Sequence, residues 1–174
     1  MTSATAVEPR GHCLGHSRGG ITTKVHIVCC AAGVPLAVGV TKGQASEVRA
    51  ASGILAGIRI AGARGRAVSK PKRLIADRGY DSKGFRAALR ARGIRPVIPE
   101  RRLAEGKRRR RRGRPSVVTK AAYRPRAIVE QVIGWLKECR RVSTRYEKLA
   151  VNYLAMVDLA ILRRLLRMWL SNTA

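Results

Sequence analysis

The stretch Arg73–Gly84 reads RLIADRGYDSKG. Three apolar residues, Leu74, Ile75 and Ala76, run into Asp77, and Gly79 follows two positions later. A short apolar run of this kind predicts a buried central strand. Asp77 at its mouth has two readings: a loop residue that stops the strand, or a metal ligand. Downstream, Asp81 or Ser82 is placed to cap a helix with FRAALRAR as its body, and Gly93 is placed to end it.

Upstream, ITTKVHIVCC is β-branched and partly alternating, AAGVP is a turn and LAVGVT is a second strand, so Ile21–Thr41 reads as a hairpin. Glu47 to Ile60 has helical spacing, and GARGRAVSKPK is a basic loop. After the Gly93 helix comes IRPVIP, a short strand whose prolines imply an edge or a strand end. The run ERRLAEGKRRRRRGRPS then forms a basic loop over 100–120. A helix from Pro125 to Cys139 and another from Glu147 to Leu170 complete the order β-β-α-β-α-β-α-α, which predicts an α/β layered domain with a mixed sheet. Residues 1–20 lack periodicity and read as a poorly ordered lead-in; the domain itself occupies 21–174.

The charge narrows the partners. Lys and Arg number 37 against 10 Asp and Glu, a formal charge of +27 over 174 residues. Such an excess repels itself and is relieved on a polyanion, so nucleic acid is the expected partner. A membrane span is not expected, because the most apolar segment carries Asp158, Arg163, Arg164 and Arg167; it reads as a core helix with a basic face. Cys13, Cys29, Cys30 and Cys139 form no CxxC pair and are expected as free thiols in a cytoplasmic protein. His12, Cys13, His16 and His26 fit no strong zinc spacing.

On a helical wheel at about 100° per residue, Arg126, Glu130 and Lys137 share one narrow arc, with Tyr123 just before the helix. Ile128, Val129, Val132, Ile133 and Leu136 form an apolar stripe elsewhere. Glu130 is then either a surface acid neutralised by Arg126 one turn away, or a second metal ligand beside cations set for phosphate oxygens. Arg108, Arg109, Arg110, Arg111 and Arg112 are either a solvated loop or a clamp on DNA phosphates.

Tyr123, Arg126, Glu130 and Lys137 match the pattern Y-x2-R-x3-E-x6-K in all four positions. With the blocks HSRGGITTKVHIV, GVPLAVGVTKGQASE, LIADRGYDS, IRPVIP and RYEKLAVNYLAMV, the chain resembles bacterial insertion-sequence transposases of the DDE type, in the branch called insertion-sequence family five. The resemblance implies a ribonuclease H-like fold, a mixed sheet with flanking helices. On it three acids hold two divalent ions, Mg²⁺ or Mn²⁺, that cut and transfer DNA strands. It makes Asp77 the second acid and Glu130 the third, with Tyr123, Arg126 and Lys137 around the scissile phosphate or the transposon end. It implies DNA partners (transposon ends and target), a homodimer in a synaptic complex and a nucleoid-associated location in a bacterial cytoplasm.

One element of the pattern is missing. The resemblance places a first Asp on a first strand upstream of the SRGG block, where this chain offers only Glu8 in a setting unlike a strand. The first strand is therefore expected to be absent, leaving two inner sheet edges unpaired. That makes the chain an N-terminally truncated or second-frame product, inactive alone. A basic nucleic-acid-binding protein without catalysis, and a nuclease of the same fold, are the competing readings.

Overall fold

The computed structural model describes residues 11–17, 19–58, 60–61, 67–68, 71–100 and 118–171. Strand β1 (Gly15–Ser17) leads into a long antiparallel hairpin, β2 (Gly20–Cys29) and β3 (Pro35–Lys42). The hairpin register pairs Val25 with Val40 and Ile27 with Val38 on one face, and His26 with Gly39 and Val28 with Ala37 on the other. Because side chains alternate along a strand, the two faces serve two cores. The even positions of β2 and odd positions of β3 meet α1 (Glu47–Ala56), and Val25, Ile27, Val38 and Val40 meet the C-terminal helices.

Helix α1 ends at Gly57, whose N–H reaches Ile54 O at 3.1 Å, earlier than the Ile60 expected. β4 (Ile60–Ala61), just before the expected basic loop, and β5 (Ala67–Val68), inside it, form a two-residue antiparallel pair. Then come β6 (Arg73–Ile75), a 3₁₀ turn over Arg78–Tyr80, α2 (Lys83–Ala91) and β7 (Arg95–Val97). Strands β6 and β7 are parallel, with Leu74 opposite Pro96. Arg95 N donates to Lys72 O (3.1 Å) and Ala76 N to Val97 O (3.3 Å). The N of Pro96 therefore faces away from β6, at an edge, as its chemistry requires. Gly93, with φ of 72°, takes the left-handed conformation that stops α2.

The second half is helical: α3 (Lys120–Tyr123), a 3₁₀ turn over Arg124–Arg126, α4 (Ala127–Lys137), α5 (Arg140–Ser143) and α6 (Ala150–Ser171). The helical stretch expected over Pro125–Cys139 thus begins earlier, at Lys120, passes through a 3₁₀ turn at Pro125 and ends at Lys137, and α6 starts at Ala150 rather than Glu147. Val132 and Leu136 are buried as expected, but Ile133 lies on the surface. The outer side of α6 is not simply basic either, since Leu159, Leu162 and Leu166 are exposed on it.

The fold is a mixed α/β arrangement, but its strands do not form one continuous sheet. Among the described residues they make a three-stranded antiparallel sheet, a two-stranded antiparallel pair and a two-stranded parallel pair. The reason is that nothing described joins β2 to β6. The outer edge of β2 carries β1 over Gly20–Thr22 alone. β6, expected as a central strand, pairs on one side only among the described residues; its bonds to β7 leave the backbone of Arg73 and Ile75 pointing the other way. The two edges are nevertheless tied to one core, because Val28 of β2 and Leu74 and Ala76 of the β6 segment pack on the same buried cluster of Leu55, Phe85, Leu89, Ile94 and Ile98.

Two arginines clip the layers. Arg86 of α2 is buried with Asp81; its Nε lies 2.9 Å from Asp81 Oδ1, and Nη2 donates to Ile98 O at 2.6 Å. Asp81 thus serves this pair, and Ser82 is the helix N-cap residue, without a side-chain bond. Arg145 donates to His12 O, Glu147 O, Lys148 O and Thr23 Oγ1, and lies over the Tyr153 ring. With Ala150 N donating to Gly11 O, it anchors residues 11–17, so this part of the lead-in expected over 1–20 is ordered, while residues 1–10 and 18 lie outside the described residues. The four cysteines are free. Among the described residues no helix is long and apolar enough to cross a membrane, and no group of three His, Cys, Asp or Glu side chains could hold a metal ion.

Arg86→Met strips a buried carboxylate of its guanidinium partner. Breaking such a pair costs about 3–5 kcal/mol, so the urea midpoint should fall sharply, and adding Asp81→Asn should recover part of the loss.

Candidate functional site

Asp77 stands where β6 ends. Its Oδ1 accepts from Gly79 N at 2.8 Å, closing the 3₁₀ turn, so one carboxylate oxygen does the work of a strand stop and the other is not used by that bond. Gly79 has a second neighbour: a Cβ there would lie 1.8 Å from Glu47 Oε2 and 2.9 Å from Asp77 Oδ1. Two carboxylates therefore converge on one glycine, and only a residue without a side chain leaves room for both.

Glu47 is the first residue of α1, where the helix N-terminus favours an acid. Its Oε1 lies 3.2 Å from Lys24 Nζ of β2, which also reaches Ala45 O. Beside them sits Tyr80, whose phenol is pushed up to about 12, first by burial and then by the charges of Glu47 and Asp77. The Tyr80 hydroxyl lies 3.5 Å from Nδ1 of His26, and His26 Nε2 lies 2.8 Å from Thr41 Oγ1. Thr41 Oγ1 donates onward to Lys42 O, which assigns Nε2–H as the donor to Thr41 and leaves Nδ1 to accept from Tyr80. Burial, reinforced by Lys24 and opposed by Glu47, holds the His26 pKa below its ordinary value. The imidazole is thus kept neutral, able to orient the phenol rather than to carry charge.

On the other side of the hairpin, Thr119 Oγ1 caps α3 by accepting from Ala122 N. This sets Tyr123 ahead of α4. The Arg126 guanidinium lies over the Tyr123 ring, 5.8 Å from its centroid, and Nη1 donates to Glu130 Oε1 at 2.6 Å. Glu130 is 58% exposed. Tyr123, Arg126 and Glu130 thus form one surface line, as their spacing implies, with Lys137 exposed two turns beyond Glu130 at the end of α4.

Among the described residues Asp77 and Glu130 belong to no group of three or more His, Cys, Asp or Glu side chains that could hold a metal ion. One is engaged by its own turn, the other by its own helix. Arg108, Arg109, Arg110, Arg111 and Arg112, with the rest of 101–117, lie outside the described residues, as does Glu8. The residues that sequence reasoning missed are Glu47, Lys24, His26 and Tyr80. The only signal for Glu47 was an acid at a helix start; that it lands beside Asp77 depends on a pairing between distant segments. Asp77 and Glu47 thus stand together with Lys24 beside them, and among the described residues no third His, Cys, Asp or Glu joins them in a group that could hold a metal ion.

The family model described as transposase DDE domain matches residues 2–165. A putative transposase for insertion sequence element IS402 from Burkholderia cepacia is 36% identical over 129 residues, 74% of this chain and 55% of that protein. A putative transposase for insertion sequence element IS6501 from Brucella ovis is 29% identical over 144 residues, 80% of this chain and 95% of that protein. The chain thus spans about half the length of the first relative and nearly all of the second. No solved structure gives a significant match.

Two titrations check the geometry. In Glu47→Gln the Tyr80 phenol, followed by NMR, should titrate below its about 12 yet stay above the free value near 10, because burial remains. A phenol whose pKa is raised by folding stabilises below the unfolded pKa and loses that contribution as pH climbs from about 10 toward 12. His26 has the opposite sense: its lowered pKa stabilises above about 6.5 and the contribution is lost on acidification. Urea midpoints in Tyr80→Phe and His26→Gln should lose these pH dependences respectively.

Proposed function

The chain belongs to the transposase DDE family, and we propose that it is the partial catalytic domain of an insertion-sequence transposase, within insertion-sequence family five, that cuts and transfers DNA strands once completed. The observation that carries this reading is the pair of open edges. Asp77 follows the end of β6, β2 packs on the same core, and among the described residues each strand has a backbone side with no strand paired along it beyond Gly20–Thr22. A strand between them, parallel to β6 and antiparallel to β2, would join the two sheets into the mixed sheet of a ribonuclease H-like fold. A carboxylate at its C-terminal end would stand beside Asp77.

In this reading Asp77 and Glu130 are catalytic acids, and Glu47 with Lys24 sets the charge around Asp77. Tyr80, oriented by neutral His26, walls the site. Arg126 releases Glu130 when a phosphate takes its place: a guanidinium binds two phosphate oxygens as readily as a carboxylate, and the Arg126–Glu130 pair is exposed and so weakly held. Tyr123 and Lys137 then bracket the same phosphate, and Arg108–Arg112 hold the duplex without reading its bases. The completed protein works with Mg²⁺ or Mn²⁺ in the nucleoid of a bacterial cytoplasm. Among the described residues no third carboxylate joins a metal-holding group, and in this reading the chain alone binds DNA without cutting it.

Incubation with element-end DNA and Mg²⁺ or Mn²⁺ should give binding without cleavage. Fusing an upstream strand that ends in Asp should give strand cleavage and joining, abolished by Asp77→Ala. Cleavage by the chain alone that vanishes in Asp77→Ala would overturn the incompleteness; an inert fusion would overturn the catalytic reading in favour of a DNA-binding protein without chemistry. Binding should weaken steeply with salt, and replacing Arg108–Arg112 by Ala should flatten the log–log slope by up to about 4.5.

A further inference from the structure

Helix α6 has two seams. Ala150, Tyr153, Val157 and Ala160 are buried against the hairpin and its neighbouring helices, and Tyr153 Oη donates to Val142 O at 2.8 Å. On the far side, roughly 170° around the helix at about 100° per residue, lie Asn152, Ala155, Leu159, Leu162, Leu166 and Trp169. Their spacing is 3-4-3-4-3, the a/d repeat of a coiled coil. Leu159, Leu162 and Leu166 are each half or more exposed, and nothing among the described residues covers them. A leucine seam on water is a docking surface in search of a second helix.

We propose that this face of α6 binds the same face of a second copy of the chain, as a parallel, in-register two-stranded coiled coil. Three features select that occupant. With Leu159 and Leu166 at a and Leu162 at d, Asp158 falls at g and Arg163 at e, five residues apart. In a parallel pair a g residue faces the e residue five positions on in its partner, so Asp158 meets the partner's Arg163, twice by symmetry. An antiparallel pair sets g against g and e against e, which turns the same charges against like charges. Asn152 takes an a position, where a buried amide favours two strands in register.

Asp158 itself is placed for such a contact: no ion pair holds it among the described residues, and burial alone raises its carboxyl above the usual range. Four other described acids have a cation at home: Glu47 has Lys24, Asp81 has Arg86, Glu130 has Arg126 and Glu147 has Arg141. The seam is short, under three heptads, and a free helix of that length is marginal in water. Here the helix is already ordered by its other face, so docking does not have to order it. The opposing term is the chain's charge of +27, which salt or DNA screens.

The inference is independent of the catalytic reading, and its test uses neither DNA nor metal. Sedimentation of the full chain at tens of micromolar in about 0.3 M NaCl, where the screening length is below 8 Å, should give twice the 19.0 kDa monomer mass. Leu162→Glu with Leu166→Glu should give a monomer with an unchanged far-UV spectrum. Asp158→Arg should weaken association at least tenfold, and Arg163→Asp in the same chain should restore it. A monomeric wild type, or a dimer indifferent to the glutamates, overturns the interface; a swap that fails to restore overturns the parallel register.

Discussion

The alternation of side chains along β2 and β3 is the constraint that organises the molecule. Each strand must be apolar on both faces, because each face is a core wall: Val28 and Ala37 meet the α1–α2 layer, and Val25, Ile27, Val38 and Val40 meet α4 and α6. A slip of one residue would send His26 into the aliphatic core around Val157 and Val132 and bring Val25 against Tyr80. The register thus fixes the protein's one buried imidazole on the side where Asp77, Glu47 and Tyr80 assemble. The fold does not merely support that cluster; the same pairing makes both.

Charge gives a second kind of order. Acids are rare in this chain, and they are spent at structural junctions: a helix start facing a strand lysine, a buried pair closing α2 onto β7, an exposed pair along α4. A carboxylate paired this way raises the local tolerance for cations without lowering the basic surface as a whole. The exposed Arg126–Glu130 pair and the buried Arg86–Asp81 pair sit at opposite ends of that scale. The first is weak enough to exchange for a phosphate; the second is enclosed, and exchange there would leave a charge in the core.

Much of this was legible in the residues. The hairpin, the strand at Leu74, the helix closed by Gly93, the edge strand around Pro96 and the line Tyr123–Arg126–Glu130 all follow from local period and turn chemistry, and the structure has them. What was not legible depends on distant partners. Glu47 reads only as a helix start because nothing near it in sequence announces Gly79. Pro125 reads as a helix start, yet the chain is already helical before it and passes through a 3₁₀ turn there. The separate sheets reflect that no strand among the described residues pairs between β2 and β6, and a strand's own sequence does not state whether its second edge is occupied. The exposed seam of α6 was hidden for a related reason: a helix apolar on two sides looks like a core helix until its surroundings are known.

The Arg145 clip has a kinetic consequence. The hairpin and the β6–α2–β7 unit are built from contacts close in sequence and are able to form early. Arg145 instead joins the C-terminal half to Thr23 and His12, more than a hundred residues away, and loop closure over such a span is slow to be rewarded. The last event in folding should be the capture of residues 11–14 by Arg145 and Ala150. During synthesis the hairpin and the β6–α2–β7 unit would emerge first, with the open edges of β2 and β6 exposed and α6 not yet made. That interval is when an incoming strand would have its freest access to the sheet.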